Sequence, residues 1–347
     1  MNRQFPPEIV QLIVKASLDR YDLLDYYHSD PKLRHRYATL KSYSLLNSTW
    51  CGASHAELVK WVEIRTDNSA IRFLELVQLS GGTLGGVKDM SVYSADLTDA
   101  STLAKLLRCT PQVSSLYVSD ASVDIEDLAQ LHQLRRLRLG ECSIVGSLSS
   151  SLLRLPHLRQ LSLVACPIDE SALHFFTPAF LPQLRRVDTD DLDSLAPLAQ
   201  QLEIIIDYSH DRHYAILARA KSLLLLAPPF HVNKRLDMFA KLPSLPPFLH
   251  AAIPPYDFSY NPDAEQELVE ALEYLLETEK SGLRVILLDD YGIDDSIKSV
   301  IQQFMERGVR VQMVDDDLYF NDGAVEEMDK IRAEEQRASE AAVMLGE

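Results

Sequence analysis

The sequence predicts an α/β chain in which three N-terminal helices precede an irregular horseshoe of strand-plus-helix repeats, and three observations carry that prediction. The first is a pattern that occurs twice. Leu134, Leu137, Leu139, Cys142 and Ile144 stand at offsets 0, 3, 5, 8 and 10, and Leu158, Leu161, Leu163, Cys166 and Ile168 repeat those offsets 24 residues later. This is the leucine-rich repeat L-x-x-L-x-L-x-x-C-x-I. Offsets 3 and 5 fall on one face of a short strand, so each unit presents an apolar row that only a neighbouring repeat can cover. The second observation is the same register upstream, at Val87, Met90, Val92, Ala95 and Leu97 and again at Val113, Leu116, Val118, Ala121 and Val123. The third is apolar spacing of helical period in the first 58 residues, before any repeat begins.

Composition bounds what such a chain can do. With 347 residues and 46% apolar content, it is long enough to bury a real core. Thirty-four basic residues against 51 acidic ones give a net charge of −17, which repels phosphate backbones and anionic bilayers, so no nucleic-acid or membrane partner is expected. The acidity is uneven: residues 1–60 hold eight Lys/Arg and six Asp/Glu, and the excess acid belongs to the repeats and the tail. Cys51, Cys109, Cys142 and Cys166 form neither a C-x-x-C metal pair nor a disulfide framework. A reducing compartment, cytoplasmic and/or nuclear, is the expected location, with all four as free thiols. No apolar run is long enough to span a bilayer.

Taken in order, Pro6 and Pro7 suit a helix start and Glu8 favours its dipole, with Ile9, Leu12, Ile13 and Ala16 on one face. Residues 19–37 read as a loop or irregular helix. Residues 40–50 and 53–61 supply the second and third helices. A helical module at 1–58 is therefore expected, then a repeat domain at 59–320 and an acidic helical tail at 321–347.

The order Phe5-Pro6-Pro7-Glu8-Ile9, followed by Leu12-Ile13 and later by Ser44-Leu45-Leu46-Asn47-Ser48-Thr49-Trp50, resembles an F-box, in the degenerate F-box-like form of fungal proteins. Phe5 stands where that family usually has Leu, and the connection through residues 20–39 is longer than usual. The resemblance covers about fifty residues and implies that Pro7, Glu8, Ile9, Leu12, Ile13, Leu45 and Trp50 contact a Skp-family adaptor and, through it, a cullin-RING ubiquitin ligase. An F-box followed by leucine-rich repeats is a recurring architecture of substrate receptors. The chain would then recruit a target protein without supplying chemistry. The rival reading is a repeat scaffold or regulator whose N-terminal helices only cap the solenoid.

Within the array, residues 59–64 read as a strand and residues 69–79 as an amphipathic helix. Gly81, Gly82, Gly85 and Gly86 lack the Gly-Lys-Ser/Thr ending of a phosphate loop and read as a turn. Helical segments at 101–109 and 125–131 separate the strands. Leu184, Val187 and Leu192 fit the register partially, with Thr189 off pattern, and Leu202, Ile205 and residues 222–227 fit more loosely. Five prolines between Pro243 and Pro255 mark a long irregular insertion near 242–260. A helix at 263–280 follows, the register returns at Leu283, Ile286, Leu288, Tyr291 and Ile293, and a strand-helix-strand unit closes the array. Residues 324–345 are Ala- and Glu-rich and read as a frayed, solvated helix.

Catalytic chemistry finds little footing. His210, Asp211 and His213 with Asp207 could be written as metal ligands but lack a second ligand cluster. Asp315 to Asp317 with Asn321, Asp322 and Gly323 miss the calcium-loop register, because Leu318 falls at its first ligand position. No cofactor or enzyme activity is expected.

The register does name a face for the target. Side chains alternating with the buried ones point to the concave side: Asp89, Ser91 and Tyr93; Ser115, Tyr117 and Ser119; Arg136 and Arg138; Gln160 and Ser162; Arg186 and Asp188. Tyr93, Tyr117, Arg136, Arg138 and Arg186 are expected to hold the target, since Tyr and Arg dominate binding hot spots. Three arginines suggest an acidic or phosphorylated patch on it.

Overall fold

The computed structural model describes residues 6–16, 31–93, 101–146, 154–191, 193–207, 223–226, 248–251, 264–277, 282–289, 295–314 and 323–345. Contacts divide the chain into two compact units, Met1–Leu184 and Arg185–Glu347.

The first unit opens with α1 (Pro7–Ala16), α2 (Pro31–Ser44) and α3 (Ser48–Leu58). Val10, Val14 and Leu40 form their buried centre, and Tyr43, Trp50, Ala53 and Leu58 pack around it. Two expectations change here. Pro31 begins α2 inside the stretch read as a loop or irregular helix, because a helix's first turn has no use for the N–H that proline lacks. The segment 40–50 is not one helix: Asn47 accepts hydrogen bonds from the Thr49 and Trp50 amides and starts α3, which leaves Leu45 and Leu46 in a turn.

Strand β1 (Trp61–Ile64) and α4 (Asp67–Leu79) follow, the helix held at its start by a reciprocal Thr66/Ser69 capping box. Gly81 and Gly82, at φ 89° and 94°, make the turn after it. Next come β2 (Asp89–Tyr93), α5 (Ser101–Cys109), β3 (Ser115–Ser119), β4 (Ser122–Asp124), α6 (Ile125–Leu128), β5 (Arg136–Gly140), β6 (Ser143–Val145) and β7 (Gln160–Val164). Strands β1, β2, β3, β5 and β7 lie side by side in parallel, pairing Met90 with Leu116, Leu116 with Leu137, and Leu137 with Leu161. Offsets 3 and 5 thus stack as continuous buried rows, with Leu137, Leu139, Leu161 and Leu163 all at most 4% exposed.

A second parallel ladder, β4 with β6 and an Ile144–Ile168 bridge, runs where offset 10 falls. Between the two ladders each repeat turns at one position, with φ 57° at Asp120, 54° at Glu141 and 53° at Ala165. The Cys142 thiol then donates to the Val118 and Gly140 carbonyls, and Cys166 to Leu139 and Val164. Offset 8 therefore adds a thiol donor to backbone carbonyls at the end of each strand, two of which, Gly140 and Val164, also accept from the Asp120 and Glu141 amides.

In the second unit, β8 (Arg186–Thr189) pairs in parallel with β9 (Ile204–Asp207), with a 3-10 turn at Asp193–Leu198 between them. Strands β10 (Leu223–Leu226), β11 (Phe248–Ala251), β12 (Val285–Asp289) and β13 (Arg310–Val314) form a parallel sheet in that order. Helix α7 (Ala264–Glu277) precedes β12, and α8 (Asp295–Glu306) joins β12 to β13, with Gly308 at φ 83° ending it. The proline-rich stretch expected to be wholly irregular holds a strand, since Phe248–Ala251 register with both Leu223–Leu226 and Val285–Leu288.

The terminal helix α9 (Gly323–Leu345) also departs from expectation. Its stretch around Met328 to Arg332 is docked, with Met328 and Ile331 fully buried and Arg332 over the Phe248 ring at 5.3 Å, while residues 333–340 are exposed as expected of a solvated helix. Strand β12 explains the need, because Val285, Ile286, Leu287 and Leu288 are all buried and so both of its faces are covered. The clusters at His210 to His213 and Asp315 to Asp322 lie outside the described residues, as do Ala95, Leu97, Leu192, Tyr291 and Ile293.

Candidate protein-binding surfaces

The first surface belongs to α1 and to the turn before α3. Val10 and Val14 take the inner side of α1, so the stripe containing Ile9 and Leu12 points outward, at 41% and 62% exposure. Pro7 and Glu8 are exposed beside them, while Ile13 and Trp50 are half-buried. Trp50 rests against Tyr43 with ring centroids 5.2 Å apart. In the turn, Leu45 and Leu46 are 79% and 60% exposed. Four large aliphatic side chains on a module this small are more than its own core can cover.

The second surface lies on the face of the sheet opposite the leucine rows. There the Tyr93 and Tyr117 rings meet edge to face, centroids 5.3 Å apart. Arg65 lies over Tyr93 and Arg138 over Tyr117, each 5.5 Å from the ring centroid. The result is a ladder Arg65, Tyr93, Tyr117, Arg138 across β1, β2, β3 and β5, in which each cation sits on a ring's electron-rich face. Register explains it: Tyr117 pairs laterally with Arg138 on one side and Ser91 on the other, and Tyr93 pairs with Ser119. Ser91 and Ser119, each 6% exposed, are the small residues that the large ones shade.

Burial shapes the ladder's chemistry. The Tyr93 hydroxyl is pushed up to about 12, first by burial and then by the Glu63 carboxylate, while Arg65 and Arg138 pull the other way. Tyr117 is raised too, by burial, with Arg138 opposing. Both phenols therefore stay protonated donors at neutral pH. Arg65 is held in turn by Glu63, whose carboxylate accepts from its Nε at 2.6 Å.

The expected target residues are thus partly united. Tyr93, Tyr117, Arg136 and Arg138 share this face and are half-buried. Arg186 belongs to the second unit and is only 3% exposed, its Nε donating to Asp188, itself 5% exposed, at 3.2 Å. A guanidinium buried against a carboxylate two residues along its own strand is a structural ion pair, so Arg186 is not a presented contact. Arg65 was missed by the sequence reasoning. Its signal was the place directly after Ile64, which register aligns with Val92, making Arg65 the counterpart of Tyr93.

No family model matches the chain, and no curated protein matches it. Among solved structures, an internalin from Listeria monocytogenes str. 4b F2365 aligns at 17% identity over 68% of this chain and 64% of its own, with a TM-score of 0.31. The chain thus spans less than two thirds of that protein's length. A likeness at this level carries no argument, and the repeat architecture stands on the strand registers themselves.

Proposed function

We propose that this chain is a substrate-recruiting subunit of an SCF-type cullin-RING ubiquitin ligase. A Skp-family adaptor docks on α1 and the turn before α3, and a target protein docks on the repeats. The observation that supports the adaptor half is the outward display of Ile9, Leu12, Leu45 and Leu46. Residues serving only as a solenoid cap would turn such side chains inward against the first repeat. For the target half, the aromatic and arginine ladder offers rigid rings and charged donors on one face, the side chains that dominate protein interfaces. In this reading the protein supplies position: holding target and ligase in one assembly raises the effective concentration of acceptor lysines.

The test is recovery of a Skp-family adaptor with the intact chain. Ile9→Asp with Leu12→Asp should abolish recovery while leaving the circular dichroism spectrum unchanged. If the parent recovers no adaptor, or the double variant recovers as much as the parent, the protein is a repeat scaffold without a ligase role.

A further inference from the structure

The second unit shows what cations at the start of repeat strands can hold. Arg185, directly after the repeat-opening Leu184, donates to both carboxylate oxygens of Asp329 on α9, at 2.5 and 2.8 Å, and also pairs with Glu203. Arg284, directly after Leu283, reaches both oxygens of Glu335 at 3.2 Å. Arg310, the first residue of β13, donates to Glu334 at 3.0 Å. Arg332 returns a bond to Glu203 at 2.9 Å. An acidic helix is thereby seated on arginines at offsets 1 and 2 of their repeats.

The first unit carries cations at offset 1 as well. Lys88 follows Val87, Arg135 follows Leu134 and Arg159 follows Leu158, with Ser114 in the corresponding place after Val113. These positions are laterally consecutive, since the Ser114 amide donates to the Lys88 carbonyl, Arg135 to Ser114, and Arg159 to Arg135, at 2.7, 2.7 and 2.8 Å. Lys88, Arg135 and Arg159 are all exposed. With parallel strands about 4.8 Å apart, they form one short basic edge in a chain of net charge −17.

We infer that Lys88, Arg135 and Arg159 form a docking edge for a carboxylate-rich helix of a partner protein. The charge complementarity is the one the second unit uses for α9, and guanidinium groups grip carboxylates through paired N–H donors. The row beside this edge in the first unit includes Asp89, Ser115, Arg136 and Gln160, so the contact is electrostatic in character and weakens as salt screens it. The inference names the target chemistry for the proposed recruiting function and rests on that reading's target half only.

A fluorescein-labelled synthetic peptide of residues 323–340 of this chain serves as the acidic helix. It is titrated with the intact protein and followed by anisotropy at 50 and 300 mM NaCl, between which the screening length shortens about 2.5-fold. Saturable binding at low salt is expected, at least tenfold weaker at high salt. Lys88→Glu, Arg135→Glu and Arg159→Glu together should weaken it at least tenfold, and the three Gln substitutions by an intermediate amount. No binding to the parent overturns the inference. So does undiminished binding to the charge-reversed triple variant, which would mean that the peptide exchanges with α9. Dimerisation of the parent in sedimentation, abolished by the triple substitution, would make the occupant a second copy and overturn the assignment to a partner. Adaptor recovery is scored on the same proteins: adaptor retained with peptide binding absent refutes the edge alone, and the reverse refutes the ligase reading alone.

Discussion

The Arg138 guanidinium lies 5.5 Å from the centroid of the Tyr117 ring, on the strand position directly beside it. This contact and its neighbours make one coupled face out of four strands, and the titration of that face is open to measurement. Tyr93 has a hydroxyl raised to about 12 from the usual 10. Between those values the folded protein holds a proton that the unfolded chain has released, so stability is present below pH 10 and declines as pH rises through 12. Urea melts from pH 9 to 12 should show that decline in the parent and a smaller one in Tyr93→Phe. Equal declines would mean that Tyr93 titrates normally.

Gly146 and Gly52 should respond oppositely to alanine. A Cβ on Gly146 would meet the Phe175 ring at 2.8 Å, the Ala172 Cα at 3.2 Å and the Ser171 carbonyl at 3.2 Å, and Phe175 is only 4% exposed. Gly146→Ala should destabilise the protein by about 1–3 kcal/mol through overpacking. Gly52 lies inside α3 with nothing within 4 Å, so Gly52→Ala should stabilise by about 0.5–1 kcal/mol. Denaturant midpoints check both signs.

Arg186→Ala should act as a stability mutation. It leaves the buried Asp188 carboxylate without its guanidinium, a loss of about 3–5 kcal/mol for a broken buried pair. Replacing both residues by apolar ones, Arg186→Met with Asp188→Leu, should recover much of that loss. A single variant as stable as the parent would show that the pair is solvated.

The thiols should divide by burial. Cys51 is half-exposed on α3, whereas Cys109, Cys142 and Cys166 are buried, and burial raises the Cys109 pKa. An aromatic disulfide reagent should label Cys51 quickly in the native protein and the other three only on unfolding, because the thiolate must form and be reached. Rapid native labelling of Cys142 or Cys166 would contradict their hydrogen bonds to strand carbonyls.

Where strand and helix signals are local, they could be read from the chain. Leu137 and Leu139 alternate with arginines, Leu161 and Leu163 with polar residues, and such alternation can satisfy only one buried face. The shared face of Ile9 and Leu12 on α1 was legible from their spacing, but that it points outward while Val10 and Val14 take the core was decided by packing. Two further signals stood in the sequence unused. Asn47 directly before Ser48 and Thr49 is a helix start, and the unbroken apolar run Val285 to Leu288 requires a cover on both faces.

What the sequence by itself determined is thus the repeat period, the leucine rows and the positions of β2, β3, β5 and β7, because each depends on neighbours a few residues away. The strand at Phe248–Ala251 depends instead on the strands it registers with. Only the tertiary structure decided which charges meet. Arg185 finds Asp329 across 144 residues, Arg284 finds Glu335 across 51, and the tail helix is ordered by those pairs and by two buried side chains, Met328 and Ile331. Arg186 is withdrawn from the surface by Asp188, and Arg65 is brought beside Tyr93 by strand register. Side-chain periodicity reports which face is buried, but a charged group's partner is set by distance in space, which the fold alone supplies.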